Sequence, residues 1–337
     1  MTRVQRKATQ RDVAQRAGVS QATVSLVLAG SPALSARSAT NARVLQVARD
    51  LGYAPNRPAQ ALRTQRTRMI AVAMPDICNP FFPSLLKGVQ TIAERAGYDV
   101  IAVNTEGEAE RERRFLRWSL EGRVDGVVGV FFALRAEDFS PLAAAGVGVV
   151  RIESARKSEG DMPIDNIYVD NRAAAAAATR YLLARGHRRI AMIAGPAGPQ
   201  AEREAGYAQA LAECGLAPDI VAGVEFSEEE GRRAAIAMAD RVKRPTAIFA
   251  ANDLMAIGAL GALRERGLAI PGDVAVIGFD DIFVARLVTP ALTTVSQFQQ
   301  DIGVRAAETL LERLRGAKSP RGTNVEMPFR LIERDST

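Results

Sequence analysis

The chain has 337 residues, 47% of them apolar and 24% charged, an ordinary globular balance with room for two or three lobes, so the disordered, collagenous and disulfide-rich classes are excluded. The N-terminus MTRVQRKATQ lacks the apolar centre of a signal peptide, and the longest apolar run, Val127 to Leu134 broken by Gly129, is too short to span a bilayer; a cytoplasmic protein without a membrane partner is expected. The net charge of +6 is uneven: residues 1–68 hold 12 Lys and Arg against Asp12 and Asp50, a net of +10, while the remainder holds 32 basic and 36 acidic residues, a net of −4.

The first elements lie in this basic end. Thr9 followed by Asp12 has the form of a capping box opening a helix, on which Val13 and Ala17 share a face. Gly18 ends that helix and Ser20 can cap the next, where Val24, Val27 and Leu28 form one stripe while Gln21, Ala22 and Ser25 face elsewhere. Two short helices around a Gly-containing turn fit either an ordinary helical hairpin or a unit that sends its second helix into the DNA major groove. The localised charge favours a polyanion. Tyr53, the only aromatic residue of 1–68, is too little apolar anchorage for a membrane surface. A third helix is predicted from about Thr40 to Leu51 with Val44, Val47, Ala48 and Leu51 on one face, stopped by Gly52. Residues 57–64 read as a short helix with Pro58 at its permitted first position, marginal alone and placed as a hinge.

From Met69 onward, short apolar runs alternate with amphipathic stretches. Strands are predicted at 70–74, 99–104, 124–132 and 147–153, with helices at 83–96, 108–121 and 141–145. A second series has strands at 189–195, 219–226, 247–250 and 274–279, with helices at 171–185, 202–214, 227–240 and 253–266. Continuous apolar strands between helices imply parallel sheets covered on both faces, here in two doubly wound lobes, with ligands beyond the carboxyl ends of the strands.

Enzyme signatures are missing: no GxGxxG follows a strand, and neither a GxxxxGK[ST] loop nor a GxSxG elbow occurs. Cys78 and Cys214, distant and without a CxxC, read as packing residues. His187, the sole histidine, reads as a helix-terminal or surface residue, so no metal or cofactor is expected. The run 106–114, EGEAERERR, reads as a solvated helix start. Asp76, Asn79, Glu153, Arg203, Asn252, Asp253, Asp280 and Asp281 fall at strand ends or helix starts, with Phe81, Phe82 and Phe226 nearby. Paired acceptors, one fork-shaped donor and aromatic faces suit a polyhydroxylated ligand; each position also suits a cap, loop or core residue.

Thr9 to Gly30, NRPAQAL (56–62), PDICNPFF (75–82), RVDGVV (123–128), ARGHRRIAMIAGP (184–196), ANDLMAIGAL (251–260) and DVAVIGFDD (273–281) together closely resemble the lactose-repressor (LacI/GalR) family of bacterial transcription regulators, in order over nearly the whole chain. The resemblance implies an all-α helix-turn-helix headpiece (1–56), a hinge (57–67), and an α/β core (68–337) like type I periplasmic sugar-binding proteins. It places lobe 1 at about 68–165 and 296–330 and lobe 2 at about 166–295, with 301–315 and VEMPFRLI returning to lobe 1. No heptad tail follows, so a homodimer is implied.

In the headpiece, the resemblance puts Gln21 and Ala22 at the start of the recognition helix, where Gln can pair with adenine and Ala can meet a thymine methyl. Thr9, Ser20, Thr23 and Asn56 match backbone-contact or capping positions, and Gln10, Ser25, Leu26, Arg57 and Ala59 join the implied DNA-contact set. Leu62 matches the hinge leucine that wedges into the minor groove. Leu26 stands where several members carry a guanine-reading arginine, Ala29 replaces a common polar residue, and Ser35 to Val44 is about two residues longer than usual. In the core, Arg203, Phe226, Asn252 and Asp280 match effector-contacting positions, Glu153 replaces the usual Asp, and Asp76 and Phe82 complete the implied set. The implied function is a repressor of a carbohydrate-utilisation operon, bound to a pseudopalindromic operator and controlled by a sugar or sugar derivative. A purine-responsive member of the same family, or a periplasmic-type sugar-binding protein, are the alternatives.

Overall fold

The structure is a computed structural model that describes residues 8–28, 39–54, 61, 64–157, 162–317 and 321–337. Two compact units divide the chain, Met1–Thr67 and Arg68–Thr337. Of the implied hinge, Asn56, Arg57, Ala59 and Leu62 lie outside the described residues.

The first unit contains helices α1 (Gln10–Ala17), α2 (Gln21–Leu28) and α3 (Ala39–Asp50). The Thr9 amide donates to Asp12 Oδ2 at 2.8 Å and the Asp12 amide donates to Thr9 Oγ1 at 3.3 Å, which satisfies two amides that a helix start otherwise leaves unpaired. Gly18, at φ 64°, ends α1 in the left-handed conformation that side-chain-bearing residues avoid. Two residues later Ser20 Oγ accepts the Thr23 amide at 3.1 Å and opens α2. Val13, Ala17, Val24, Val27, Val44 and Ala48 bury together as the core of this unit, so three short helices stabilise one another where none would persist alone.

The second unit is built on two parallel sheets. The first contains β1 (Met69–Met74), β2 (Asp99–Asn104), β3 (Gly126–Gly129), β4 (Gly148–Glu153), β5 (Ile164–Val169) and β11 (Asn324–Met327) in the order β11-β5-β4-β3-β1-β2. The second contains β6 (Ile190–Ala194), β7 (Ile220–Ala222), β8 (Ala247–Ala250) and β9 (Ala275–Ile277) in the order β7-β6-β8-β9. Every strand pair within both sheets is parallel. Strands β3, β5, β6 and β8 are buried along their whole length, as sheets covered on both faces require. The covering helices are α4 (Phe81–Arg95), α5 (Ala109–Leu120), α6 (Ser140–Ala144), α7 (Asn171–Ala184), α8 (Gln200–Ala212), α9 (Glu228–Ala239), α10 (Asp253–Glu265) and α11 (Gln299–Leu314). Strand order reverses at β1 and at β6, and those two switch points open the crevice in which a ligand binds in such folds.

Three features depart from the sequence reading. Residues 164–169 form β5 inside the first sheet, so the chain leaves that lobe at Asp170 and not near 165. Only β11 of the segment VEMPFRLI returns to the first sheet; β12 (Arg330–Ile332) pairs antiparallel with β10 (Thr294–Ser296). Beyond it Ser336, fully buried, accepts the Val276 amide on its carbonyl oxygen at 2.8 Å and the Thr293 amide on Oγ at 2.8 Å. The chain therefore ends docked on the second sheet. Cys78 and Cys214 are free and exposed, not packed.

Helices α4 and α11 cross so closely that a methyl group on Gly88 would overlap the Gln300 carbonyl, and one on Gly303 would overlap that of Leu85. Backbone cannot yield as a flexible side chain does, so Gly88→Ala should destabilise the unit by about 1–3 kcal/mol or more, read by urea unfolding of the full chain. An unchanged midpoint would show that the helices slide apart freely.

Candidate functional site

In the helical unit the outward face of α2 is the candidate DNA reader. Val24 and Val27 hold the helix to its core, which leaves Gln21, Ala22 and Leu26 exposed, Leu26 at 45%. Gln21 Nε2 donates to Gln10 Oε1 at 3.4 Å, so the side chains beginning α1 and α2 lie side by side. Thr9 and Ser20 are exposed while serving as caps, and Thr23 and Ser25 are half-buried on the flanks of the face.

In the core, a cavity of about 650 Å³ opens at the carboxyl ends of the strands. Asp76, Phe82, Glu153, Arg203, Phe226, Asn252 and Asp280 all line it, although they come from six separate stretches of the chain. Strand order explains the convergence. Asp76 follows β1 and Glu153 ends β4 on the first-lobe side, while Phe226, Asn252 and Asp280 follow β7, β8 and β9 on the other, and Arg203 projects from the first turn of α8.

The floor of the cavity is a buried network around Arg203, which is only 4% exposed. Its Nε donates to Asn171 Oδ1 at 2.8 Å, one Nη donates to the Ala251 carbonyl, and the other lies 3.5 Å from Asp280 Oδ1. The guanidinium also sits 3.9 Å from the centroid of the Phe279 ring. Gln297 Nε2 donates to the same Asp280 oxygen at 2.7 Å. Asp280 is held at φ 116°, a backbone conformation that costs a residue with a side chain about 1–3 kcal/mol and persists only where surrounding contacts enforce it. A rigid guanidinium beside a carboxylate offers both donors and acceptors to a hydroxylated ligand without any further ordering.

Other members serve the scaffold as well as the cavity. Asn252 caps α10 by accepting the Met255 amide at 2.9 Å, and Asp76 accepts the Cys78 amide at 2.8 Å. Asn79, also on the wall, accepts the Phe81 amide at 3.0 Å to start α4. Phe82 packs edge-on against Phe81 with ring centroids 5.2 Å apart, and Phe226 faces Phe132 at 6.3 Å. His187 stands apart, with Nδ1 3.0 Å from Thr246 Oγ1 and its pKa lowered by burial and then by the charge of Arg185.

Burial pushes the Asp280 carboxyl up to about 6, a rise that Arg203 and Gln297 hold in check. Burial, and then the charge of Asp280, raise the neighbouring Asp253 well above the usual carboxylate range, although Thr294 Oγ1 and the Ile282 amide both donate to it. Between about pH 4 and about pH 6 the folded protein holds a proton on Asp280 that the unfolded chain has lost, so this site's contribution to stability falls as pH rises through that window and is flat above it. The stability advantage of the wild type over Asp280→Asn should therefore be greatest near pH 4 and shrink as pH rises through about 6, measured by urea unfolding at stepped pH. A difference that grows with pH would contradict it.

Sequence reasoning missed Arg151, Asn171, Gln297, Phe132 and Glu112. Glu112 is fully buried, and its carboxylate accepts the amides of Phe132, Ala133 and Leu134 at 2.7, 3.1 and 3.1 Å. It therefore positions the loop that carries Phe132 to the cleft. Its signal lay in period: Glu112 shares the i, i+3, i+4, i+7 face of α5 with Phe115, Leu116 and Ser119, all buried. Arg151 stands as a charge within the strand VGVVRIE, two residues before Glu153.

The family model for bacterial regulatory proteins of the lacI family matches residues 9–56, the three-helix unit, and the model for a periplasmic binding protein-like domain matches residues 179–337. The HTH-type transcriptional repressor CytR of Escherichia coli is 34% identical over 334 residues, covering 98% of this chain and 96% of that protein. The chain belongs to the LacI family. It is a DNA-binding transcriptional regulator with a headpiece of helix-turn-helix type and a periplasmic-binding-protein-like core. The lac repressor dimer bound to operator and the anti-inducer ONPF superposes with a TM-score of 0.84 at 28% identity, covering 98% of this chain and 99% of the other. The complex of the transcriptional regulator CelR with cellobiose superposes at 0.71 with 31% identity, covering 98% and 100%. Among the described residues no helix is long and apolar enough to cross a membrane.

Proposed function

We propose that this LacI-family regulator is a cytoplasmic homodimeric repressor of a carbohydrate-utilisation operon, binding a pseudopalindromic operator and releasing or engaging it in response to a sugar or sugar derivative in the core cavity. It acts by binding, not by catalysis. The observation that carries the reading is the Arg203–Asp280 pair at the floor of a cavity with aromatic walls, because buried donors and acceptors fixed in advance suit hydroxyl groups that both donate and accept. Similarity to the regulator solved with cellobiose supports the sugar, and similarity to the operator-bound lac repressor dimer supports the operator and the two-fold assembly. Gln21, Ala22 and Leu26 would read base edges, flanked by Thr9, Gln10, Ser20, Thr23 and Ser25 and supported by Asn56, Arg57, Ala59 and Leu62. Asp76, Phe82, Glu153, Phe226 and Asn252 would surround the ligand with Arg203 and Asp280. The ligand needs only to bind one lobe arrangement better than another, and couplings of about 1–3 kcal/mol are typical.

Selection of duplexes from a randomised pool tests the DNA half directly. The full chain should enrich a sequence with two-fold symmetry, and Gln21→Ala should weaken binding to it by about 1–3 kcal/mol while relaxing preference at one symmetric base pair. Enrichment without symmetry would rule out a homodimer on paired half-sites.

A further inference from the structure

The charges around the cavity narrow the ligand further. On the first-lobe wall Arg151, only 6% exposed, is ion-paired with Glu153, and one Nη also lies 3.5 Å from the Leu134 carbonyl. Its guanidinium stacks 5.3 Å from the centroid of buried Phe139, and its Nε is buried without a partner. Lys157 Nζ approaches the other oxygen of Glu153 at 3.3 Å. Opposite stands the Arg203–Asp280 pair. Each buried cation of the cavity is thus matched by a buried carboxylate, and the interior of the cleft sums to zero.

The rim is acidic. Asp76, Glu106, Glu108 and Glu225 also line the cavity, so six lining carboxylates stand against the three cations Arg151, Lys157 and Arg203. Arg111 bridges Glu106 and Glu108 at 2.6 and 2.9 Å, but its charge is spent there. Helix starts are the other common anion receptors, because their amides point outward unpaired. Those at the cavity are already occupied: Asn79 accepts the Phe81 amide, Ser227 the Glu230 amide and Asn252 the Met255 amide. The start of α8 carries Glu202 in its first turn.

We propose that the cleft accepts an uncharged, unphosphorylated polyhydroxylated ligand and rejects sugar phosphates and nucleotides, with Arg151 as a specificity-determining residue whose pairing with Glu153 withholds the cation a phosphate would need. This deepens the effector-site reading and rests on it. A dianionic phosphate gains from a cation only where that cation is not already neutralised, and it loses hydration on entering a cavity rimmed by carboxylates. A neutral sugar meets no such penalty, and each ion pair offers it both a donor and an acceptor.

The test is isothermal titration of the full chain with matched pairs: D-ribose and D-ribose 5-phosphate, D-glucose and D-glucose 6-phosphate, cellobiose and cellobiose phosphate, adenosine and adenosine monophosphate. The neutral member of the pair that binds should bind at least about tenfold tighter than its phosphate. Glu153→Gln leaves Arg151 and Lys157 without their carboxylate and should shift the preference toward the phosphate by about tenfold. A phosphate that binds the wild type as tightly as its neutral partner would overturn the proposal while leaving the cleft an effector site. Binding of no member of any pair would instead remove the sugar-effector reading, and this inference with it. A preference unmoved in Glu153→Gln would overturn the role given to Arg151.

Discussion

Replacing Arg203 with leucine should abolish ligand binding and lower the stability of the core by about 3–5 kcal/mol, the range for removing one partner of a buried ion pair. The guanidinium is almost completely enclosed, and four groups depend on it: Asn171, the Ala251 carbonyl, Asp280 and the face of Phe279. Without it Asp280 loses the cation that restrains its pKa and shifts further toward the neutral form, so part of the cost is relieved by protonation at the expense of the ionised acceptor. Arg203→Lys keeps a charge but not the fork, and should recover little of the ligand affinity. Thermal unfolding should show a decrease of about 10 °C for the leucine variant. A variant that melts like wild type and still binds ligand would show that the network is ornamental to both fold and site.

The second large effect lies away from the cleft. Asp165 is fully buried in β5 and accepts both arms of Arg313, from Nε at 2.5 Å and Nη2 at 2.9 Å, together with the Thr323 amide at 3.0 Å and hydroxyl at 2.6 Å. One carboxylate therefore ties α11 to β5 and to the segment that leads into β11, closing the far edge of the first sheet. Arg313→Met removes the fork from a carboxylate that stays buried, and should also cost about 3–5 kcal/mol. Its signature differs from that of Arg203→Leu. Below the lowered melting temperature the variant should bind ligand as wild type does, because Arg313 does not line the cavity. Loss of ligand affinity in a folded Arg313→Met protein would mean that the sheet edge and the cleft are coupled.

These two pairs also show what a sequence conveys. The capping box of Thr9 and Asp12, the Gly18 turn and the apolar stripes of the first unit are local patterns, and each is met where its spacing puts it. The inner strands were equally plain, because burial on both faces leaves a run of apolar residues. β5 is not: its sequence IDNIYV carries Asp165 and Asn166 into the interior, and Asp165 is satisfied there by Arg313 and Thr323, 148 and 158 residues away. β3 is shorter than its apolar run for a related reason. Val130 to Phe132 looks like strand, but the Glu112 carboxylate captures the amides of Phe132, Ala133 and Leu134 and turns the chain toward the cleft. β7 likewise stops at Ala222, short of the run that leads to Phe226. The cavity residues sat at strand ends in the sequence, yet only strand order shows that they face one space. Gln297 gains its place from Asp280, 17 residues before it, and no local pattern marks it.

The proposed function couples a DNA reader to a ligand cleft, and the most direct measurement is operator affinity with and without ligand. Fluorescence anisotropy of the full chain on its selected pseudopalindromic duplex, titrated across neutral sugars and nucleobases, should find one compound that changes affinity at least about fivefold, the lower end of ordinary allosteric coupling. That change should vanish in Arg203→Leu at a temperature where the variant remains folded. Sequence-specific DNA binding that no ligand alters, or an effect that survives in Arg203→Leu, would contradict the claim that the cleft controls the headpiece.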